Sequence, residues 1–163
     1  MNKTIIFVTL AAVGLIGLMW WGSIAQKAAK ADTGVKSALT VSEKLYDFGT
    51  ISMKNGNVTK EFVITNPGNK DIFVPSVVTS CMCTKAFTVQ KNGTTKGPFG
   101  MPGMGFVPPA NETVKAGESL TVRVVYDPNA HGPAGVGPVD RFVTITDASG
   151  SKLELEIKAQ VTP

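Results

Sequence analysis

Metal-binding and nucleophilic side chains are scarce in this chain, which has one histidine and two cysteines in 163 residues. Three such side chains fall short of the four nitrogen or thiolate ligands of a structural zinc site. Charge is sparse too, at 17% of residues. Lys3, Lys27 and Lys30 precede Asp32, so residues 32–163 carry 13 Lys and Arg against 12 Asp and Glu. That balance lacks the basic footprint of a nucleic-acid binder. The glycines of residues 97–105 are interleaved with proline, and no Gly-Lys-Ser/Thr follows them, which excludes a phosphate-binding loop. A Cys83–His131 dyad is the one nucleophile–base pairing to consider, and no third orienting residue stands near either partner in sequence. No catalytic residue is therefore assigned, and a non-enzymatic protein is expected.

One long hydrophobic run exists, at the start. No charge occurs between Ile5 and Ala25, and the run ends in Trp20-Trp21, an aromatic pair suited to a membrane interface. As a helix these residues would span roughly 30 Å, about one hydrocarbon thickness. A retained anchor over residues 1–25 is expected. A cleaved signal sequence is the competing reading, since Ala29-Lys30-Ala31 and Ser23-Ile24-Ala25 have the small-x-small form of a processing site. Either reading places the remainder outside the cytoplasm, at the cell surface or in the periplasm. The flanking charges lean the other way, with Lys3 before the run and Lys27 and Lys30 after it. No cysteine follows the run, which excludes a lipoprotein anchor. Residues 26–38 are small and polar without apolar periodicity, as in a tether. The folded domain is expected over residues 39–163, with enough apolar residues for one ordinary core.

Past residue 38 no helical repeat occurs and the period is two. Phe62 and Ile64 alternate with Glu61 and Thr65, Leu120, Val122, Val124 and Tyr126 with Thr121, Arg123 and Asp127, and Leu153, Leu155 and Ile157 with Glu154, Glu156 and Lys158. One buried and one wet face per strand is the pattern of antiparallel sheet. Turn chemistry at Asn55-Gly56, Pro67-Gly68-Asn69, Ala116-Gly117, Asp127-Pro128-Asn129 and Ser149-Gly150 separates the runs. The spacing predicts strands near 39–42, 45–51, 57–66, 71–80, 84–90, 119–127, 139–147 and 152–161, the first two sharing one edge. The fold class read from this is all-β, an immunoglobulin-like antiparallel β-sandwich of about seven strands behind one N-terminal membrane helix. A barrel would carry the same pattern. Two Gly/Pro-rich stretches, residues 91–110 and 128–138, read as long loops, which in a compact domain serve a site or are mobile. Met101 and Met104 with Phe99 and Phe106 in the first loop are expected to pack onto the sheet, and Tyr46 and Phe48 to join the core.

Both cysteines lie in Cys81-Met82-Cys83, at the end of a predicted strand. In an extended segment alternate side chains share a face, so the two sulfurs should meet. Three readings stand: a structural or oxidised pair, as exported thiols tend to be; a reducible bridge with a redox role; and a metal site. Thiolate and thioether are soft ligands that select Cu(I), and Cys81, Cys83, Met101, Met104 and His131 supply two to five such donors from the two longest loops.

Tyr46-Asp47-Phe48-Gly49-Thr50-Ile51, Phe62-Val63-Ile64-Thr65-Asn66-Pro67-Gly68-Asn69, Thr79-Ser80-Cys81-Met82-Cys83-Thr84, Ala116-Gly117-Glu118-Ser119 and Val125-Tyr126-Asp127 follow one another in order. This succession, spread over residues 39–162, resembles the bacterial exported domain-of-unknown-function group numbered fifteen seventy-three, whose usual motif is Ser-Cys-Gly-Cys-Thr. The resemblance implies an Ig-like sandwich related to the ASPM/SPD-2/Hydin-type domains and implies no activity. Met82 stands where that group has glycine, and the long Met-bearing loop is a second departure. Two functions are expected to compete: a membrane-tethered module that binds another protein, and a copper-handling protein.

Overall fold

The computed structural model describes residues 37–163; the expected membrane helix lies outside them. Among the described residues no helix is long and apolar enough to cross a membrane. Eleven strands follow in chain order: β1 Thr40–Val41, β2 Leu45–Ser52, β3 Val58–Thr65, β4 Ile72–Val74, β5 Ser76–Thr79, β6 Thr84–Val89, β7 Thr95–Phe99, β8 Glu112–Val114, β9 Ser119–Tyr126, β10 Gly137–Thr146 and β11 Lys152–Thr162. Two short 3-10 turns, Met53–Asn55 and Gly132–Gly135, are the only helical elements among the described residues.

One sheet has the order β1-β3-β9-β6-β7 and a second β2-β11-β10-β5, with β4 and β8 forming a separate pair. Alternation sets the register. In β3 and β9, Phe62 lies opposite Val122 and Ile64 opposite Leu120; in β10 and β11, Val143 lies opposite Leu155 and Ile145 opposite Leu153. These inward residues from both sheets join one buried cluster with Val77, Ala86, Val124 and Ile157, so the sheets enclose a single core between them. The all-β sandwich read from the period-two pattern is what the chain builds.

Four local features depart from the expectation. Strand 71–80 is split at Pro75, which has no N–H for a ladder; its carbonyl instead accepts from Ala110 N–H at 2.9 Å. The first two strands do not share an edge: β1 pairs with β3 in one sheet, while β2 runs parallel to β11 in the other, Tyr46 opposite Ile157. Stretch 91–110 is not all loop, because Thr95–Phe99 pairs with β6 and inserts Phe99 into the core at 1% exposure. Tyr46 and Phe48 are half-buried at the edge strand, packed edge to face at 4.9 Å, with Lys60 Nζ 3.9 Å above the Tyr46 ring.

Candidate functional site

The crossover from one sheet to the other carries the cysteines. β5 ends at Thr79 in the four-stranded sheet and β6 begins at Thr84 in the five-stranded one, so residues 80–83 cap one end of the sandwich. They form a tight turn rather than an extended segment, closed by Thr84 N–H donating to Cys81 C=O at 3.1 Å. The Thr79 hydroxyl braces it from inside, donating to Cys81 C=O at 3.1 Å and Thr84 C=O at 3.0 Å. Further bonds run from Asp127 N–H to Cys83 C=O and from Ser80 N–H to Phe142 C=O, both 2.9 Å, and tie the turn to the residue after β9 and to the middle of β10. The sulfurs meet as expected, through turn geometry in place of strand alternation.

Cys81 and Cys83 sit at disulfide distance, with Cα atoms 5.3 Å apart. Their surroundings differ. Cys83 is buried at 2% exposure, whereas Cys81 is only half-buried and Met82 between them is exposed. His131 Nε2 lies 3.2 Å from Cys81 Sγ, so the imidazole pairs with Cys81 and not with Cys83. Arg141 Nε donates to Cys83 Sγ at 3.2 Å, and the Cys83 N–H donates to Cys81 Sγ at 3.4 Å. Each sulfur thus has its own donor or cation beside it, an arrangement that favours the thiolate whenever the pair is reduced.

Local chemistry holds these partners in place. Asp127 caps the loop after β9 by accepting from Asn129 N–H at 2.8 Å, and Asn129 Nδ2 donates to Met53 C=O at 2.6 Å. His131 then leads into the 3-10 turn Gly132–Gly135, entered through Pro133. Arg141 projects from β10, whose residues Val139, Val143 and Ile145 are buried on the same face by period-two spacing. Beside it, burial raises the Tyr126 phenol above its usual range, the Arg141 guanidinium pulls it back down, and Asp127 adds to the rise.

The ligating atoms of Cys81, Cys83 and His131 lie within 4.8 Å of one another, a group able to hold a metal ion. Met101 and Met104 line a different feature, a cavity of about 160 Å³ shared with Met82, Thr84, Lys85, Pro98, Phe106 and Val107. Neither cysteine nor His131 is in its wall. Nor do Met104 and Phe106 pack onto the sheet: they are 58% and 88% exposed. Sequence reasoning missed Arg141. Its signal was the register Val139-x-Arg141-x-Val143-x-Ile145, in which one cation takes an inward position in an otherwise apolar row.

As a staple the cysteine pair does little. Closing a loop over one intervening residue constrains the unfolded chain by only about 1.6 kcal/mol on the chain-entropy relation, against roughly 3 kcal/mol for a 15-residue loop. Both cysteines lie within the turn between β5 and β6, so the pair ties no strand to another.

No curated protein matches the chain by sequence. Among solved structures it is similar to a protein of unknown function from Porphyromonas gingivalis W83, at 16% identity and a TM-score of 0.55, over 80% of this chain and 50% of that one. The secreted serine protease VesC from Vibrio cholerae is similar at 16% identity and a TM-score of 0.47, over 77% of this chain and 24% of that one. A family 123 glycoside hydrolase from Clostridium perfringens follows at 6% identity and a TM-score of 0.46, over 72% of this chain and 22% of that one. The chain spans half the length of the first of these and about a quarter of the others. The first likeness is one of fold alone. Residues 39–99, which include the cysteine turn and end at Phe99 of β7, match the family model described as "Protein of unknown function (DUF1573)".

Proposed function

We propose that this chain is a non-enzymatic, membrane-tethered, Ig-like binding module that works outside the cytoplasm and holds a protein partner at the end of the sandwich bearing Met82 and the 98–107 loop. The observation that carries this reading is the exposure of Phe106. A phenylalanine 88% exposed stands beside exposed Met104 and Met82 around one apolar cavity, with exposed Lys85 also lining it. Contiguous exposed apolar side chains with a polar rim mark interaction surfaces, and flexible thioethers let such a surface adapt to what it meets. The tether rests on the uncharged run from Ile5 to Ala25. A photo-crosslinking amino acid at position 106 of the full-length chain in its native cells is expected to give a protein adduct, and the same probe at exposed Lys152 none. Equal labelling from both positions would sink the reading, as would a Phe106→Ser variant that unfolds, since Phe106 would then be a structural residue.

A Cu(I) reading is favoured by the three converging donors Cys81, Cys83 and His131. Soft thiolates with one imidazole suit that ion once the pair is reduced. The Arg141 guanidinium against Cys83 weighs against it, because a fixed positive charge 3.2 Å from the sulfur opposes a second cation there. Reduced protein titrated against a Cu(I) chelator decides: a Cys81→Ser, Cys83→Ser variant that competes as well as wild type removes the copper reading.

A further inference from the structure

We propose that Cys81 and Cys83 are a thiol–disulfide exchange pair, with Cys81 the sulfur that incoming thiols reach and Cys83 the buried sulfur that leaves. This goes beyond binding: the exchange step stands on the cysteine turn, and where the partner rests is taken from the binding reading above.

Asymmetry between the two sulfurs carries the argument. An exchange pair needs one accessible sulfur and one stabilised leaving sulfur. Here Cys81 is half-buried at the surface beside exposed His131, while Cys83 is 2% exposed with a guanidinium nitrogen at 3.2 Å. A bridge kept only for stability needs neither partner, whereas half-buried Arg141, its Nη1 donating to Asp140 C=O at 2.8 Å, turns its Nε to Cys83 Sγ. The buried anion that Arg141 would meet is the Cys83 thiolate, which exists only when the bridge is open. Cys81 in its turn has the imidazole and the Cys83 N–H, at 3.2 and 3.4 Å, to receive charge on its own sulfur.

The exchange balances with a dithiol partner and no further oxidant. A partner thiolate attacks Cys81 Sγ, forming a mixed disulfide; the Cys81–Cys83 bond breaks and its electron pair leaves on Cys83 Sγ beside Arg141. The partner's second thiolate then attacks the partner sulfur of the mixed disulfide, closing the partner's own disulfide and releasing Cys81 as a thiolate beside His131. The partner loses two electrons, the cysteine pair gains them, and the two partner protons pass to the two cysteines or to solvent. Exchange in reverse with a partner disulfide restores the bridge. The partner class is a polypeptide dithiol or disulfide outside the cytoplasm, and Met82, set between the two sulfurs, places the apolar cavity where that polypeptide's neighbouring side chains would rest.

The test uses glutathione as the probe on the full-length chain, read by intact mass after acid quenching. With oxidised glutathione, Cys83→Ser, which keeps Cys81, should form the adduct at least about tenfold faster than Cys81→Ser, which keeps only the buried sulfur. Oxidised wild type should open with reduced glutathione, and Arg141→Gln should slow that opening by about tenfold, because the leaving sulfur loses its cation; Arg141→Lys should recover part of the rate. The melting temperature of each variant is measured alongside, and the opening of wild type needs no variant to fold. Equal adduct rates in the two single-cysteine variants, a wild-type bridge that resists reduced glutathione in the folded state, or a folded Arg141→Gln that opens as fast as wild type would each overturn the proposal.

Discussion

Phe99 and Phe106 sit seven residues apart in the same Gly/Pro-rich stretch, and the structure gives them opposite surroundings: 1% against 88% exposed. Replacing each by alanine therefore separates what β7 contributes to the core from what the following loop presents to solvent. For Phe99→Ala, removing roughly 120 Å² of apolar surface from the interior at about 25 cal/mol per Å² costs about 3 kcal/mol. The cavity left among Ala86 and its neighbours adds to this and brings the total to about 3–5 kcal/mol. Against a total stability of roughly 5–15 kcal/mol for a single domain, that is a large fraction. Phe106→Ala, by contrast, should fall within about 0.5 kcal/mol of wild type. Urea unfolding of both variants, followed by far-UV circular dichroism and extrapolated linearly, gives the two values, and an unchanged slope confirms that only stability moved. Equal losses in the two variants, or a neutral Phe99→Ala, would refute the placement of β7 in the sandwich. The same reasoning means that deleting residues 91–110 should unfold the domain, since the deletion takes a strand and Phe99 with it.

Phe62→Ala should also cost about 3–5 kcal/mol by urea unfolding, since Phe62 is buried opposite Val122 at the centre of the same core. Gly97→Ala should destabilise by about 1–3 kcal/mol in the same assay, because its φ of +127° disfavours a side chain and a Cβ would meet Ala86 O and Phe87 Cδ1, each at 2.9 Å. Asp147 is buried, which alone would raise its pKa, yet hydrogen bonds from Ser149, Ser37 and Ser151 outweigh this and hold the carboxyl below its usual range. A depressed folded-state pKa gives stability that is complete above about pH 4 and is lost as pH falls through the lower folded value. Melting temperature should therefore fall more steeply below about pH 4 in wild type than in Asp147→Asn, and parallel slopes would contradict this. A reporter active only in the cytoplasm, fused after Pro163, should stay silent; a strong signal would place the domain inside the cell.

The period-two runs were legible because one face of each main strand is wet: every inward residue of β9 and β11 named from alternation is buried. What stayed hidden did so for physical reasons. β7 pairs through only a few residues, carries Gly97 and Pro98, and shows no alternation, so nothing but its tertiary pairing with β6 makes it a strand. Nothing in the sequence of β2 announces a parallel neighbour 111 positions away, such as the one that brings Ile157 opposite Tyr46. At the site, the meeting of the two cysteines was readable from their spacing, and His131 from its place in a long loop. The division of Met101 and Met104 from that group was not readable, because loop side chains carry no periodicity that fixes where they point. Arg141 was readable only with the register of β10 in hand, where a single cation interrupts an apolar row.

The end of the sandwich built from the cysteine turn and the 98–107 loop is where we propose that this domain meets another polypeptide. The most direct measurement is non-reducing electrophoresis of full-length Cys83→Ser expressed in its native cells and quenched with acid. A partner reaching Cys81 should be held as a mixed disulfide, since the sulfur that would resolve it is gone. Cys83→Ser should give a reducible adduct of higher mass, Cys81→Ser none, and Cys83→Ser with Phe106→Ser added a weaker one. Monomer alone in Cys83→Ser, or an adduct equally strong in Cys81→Ser, would contradict it.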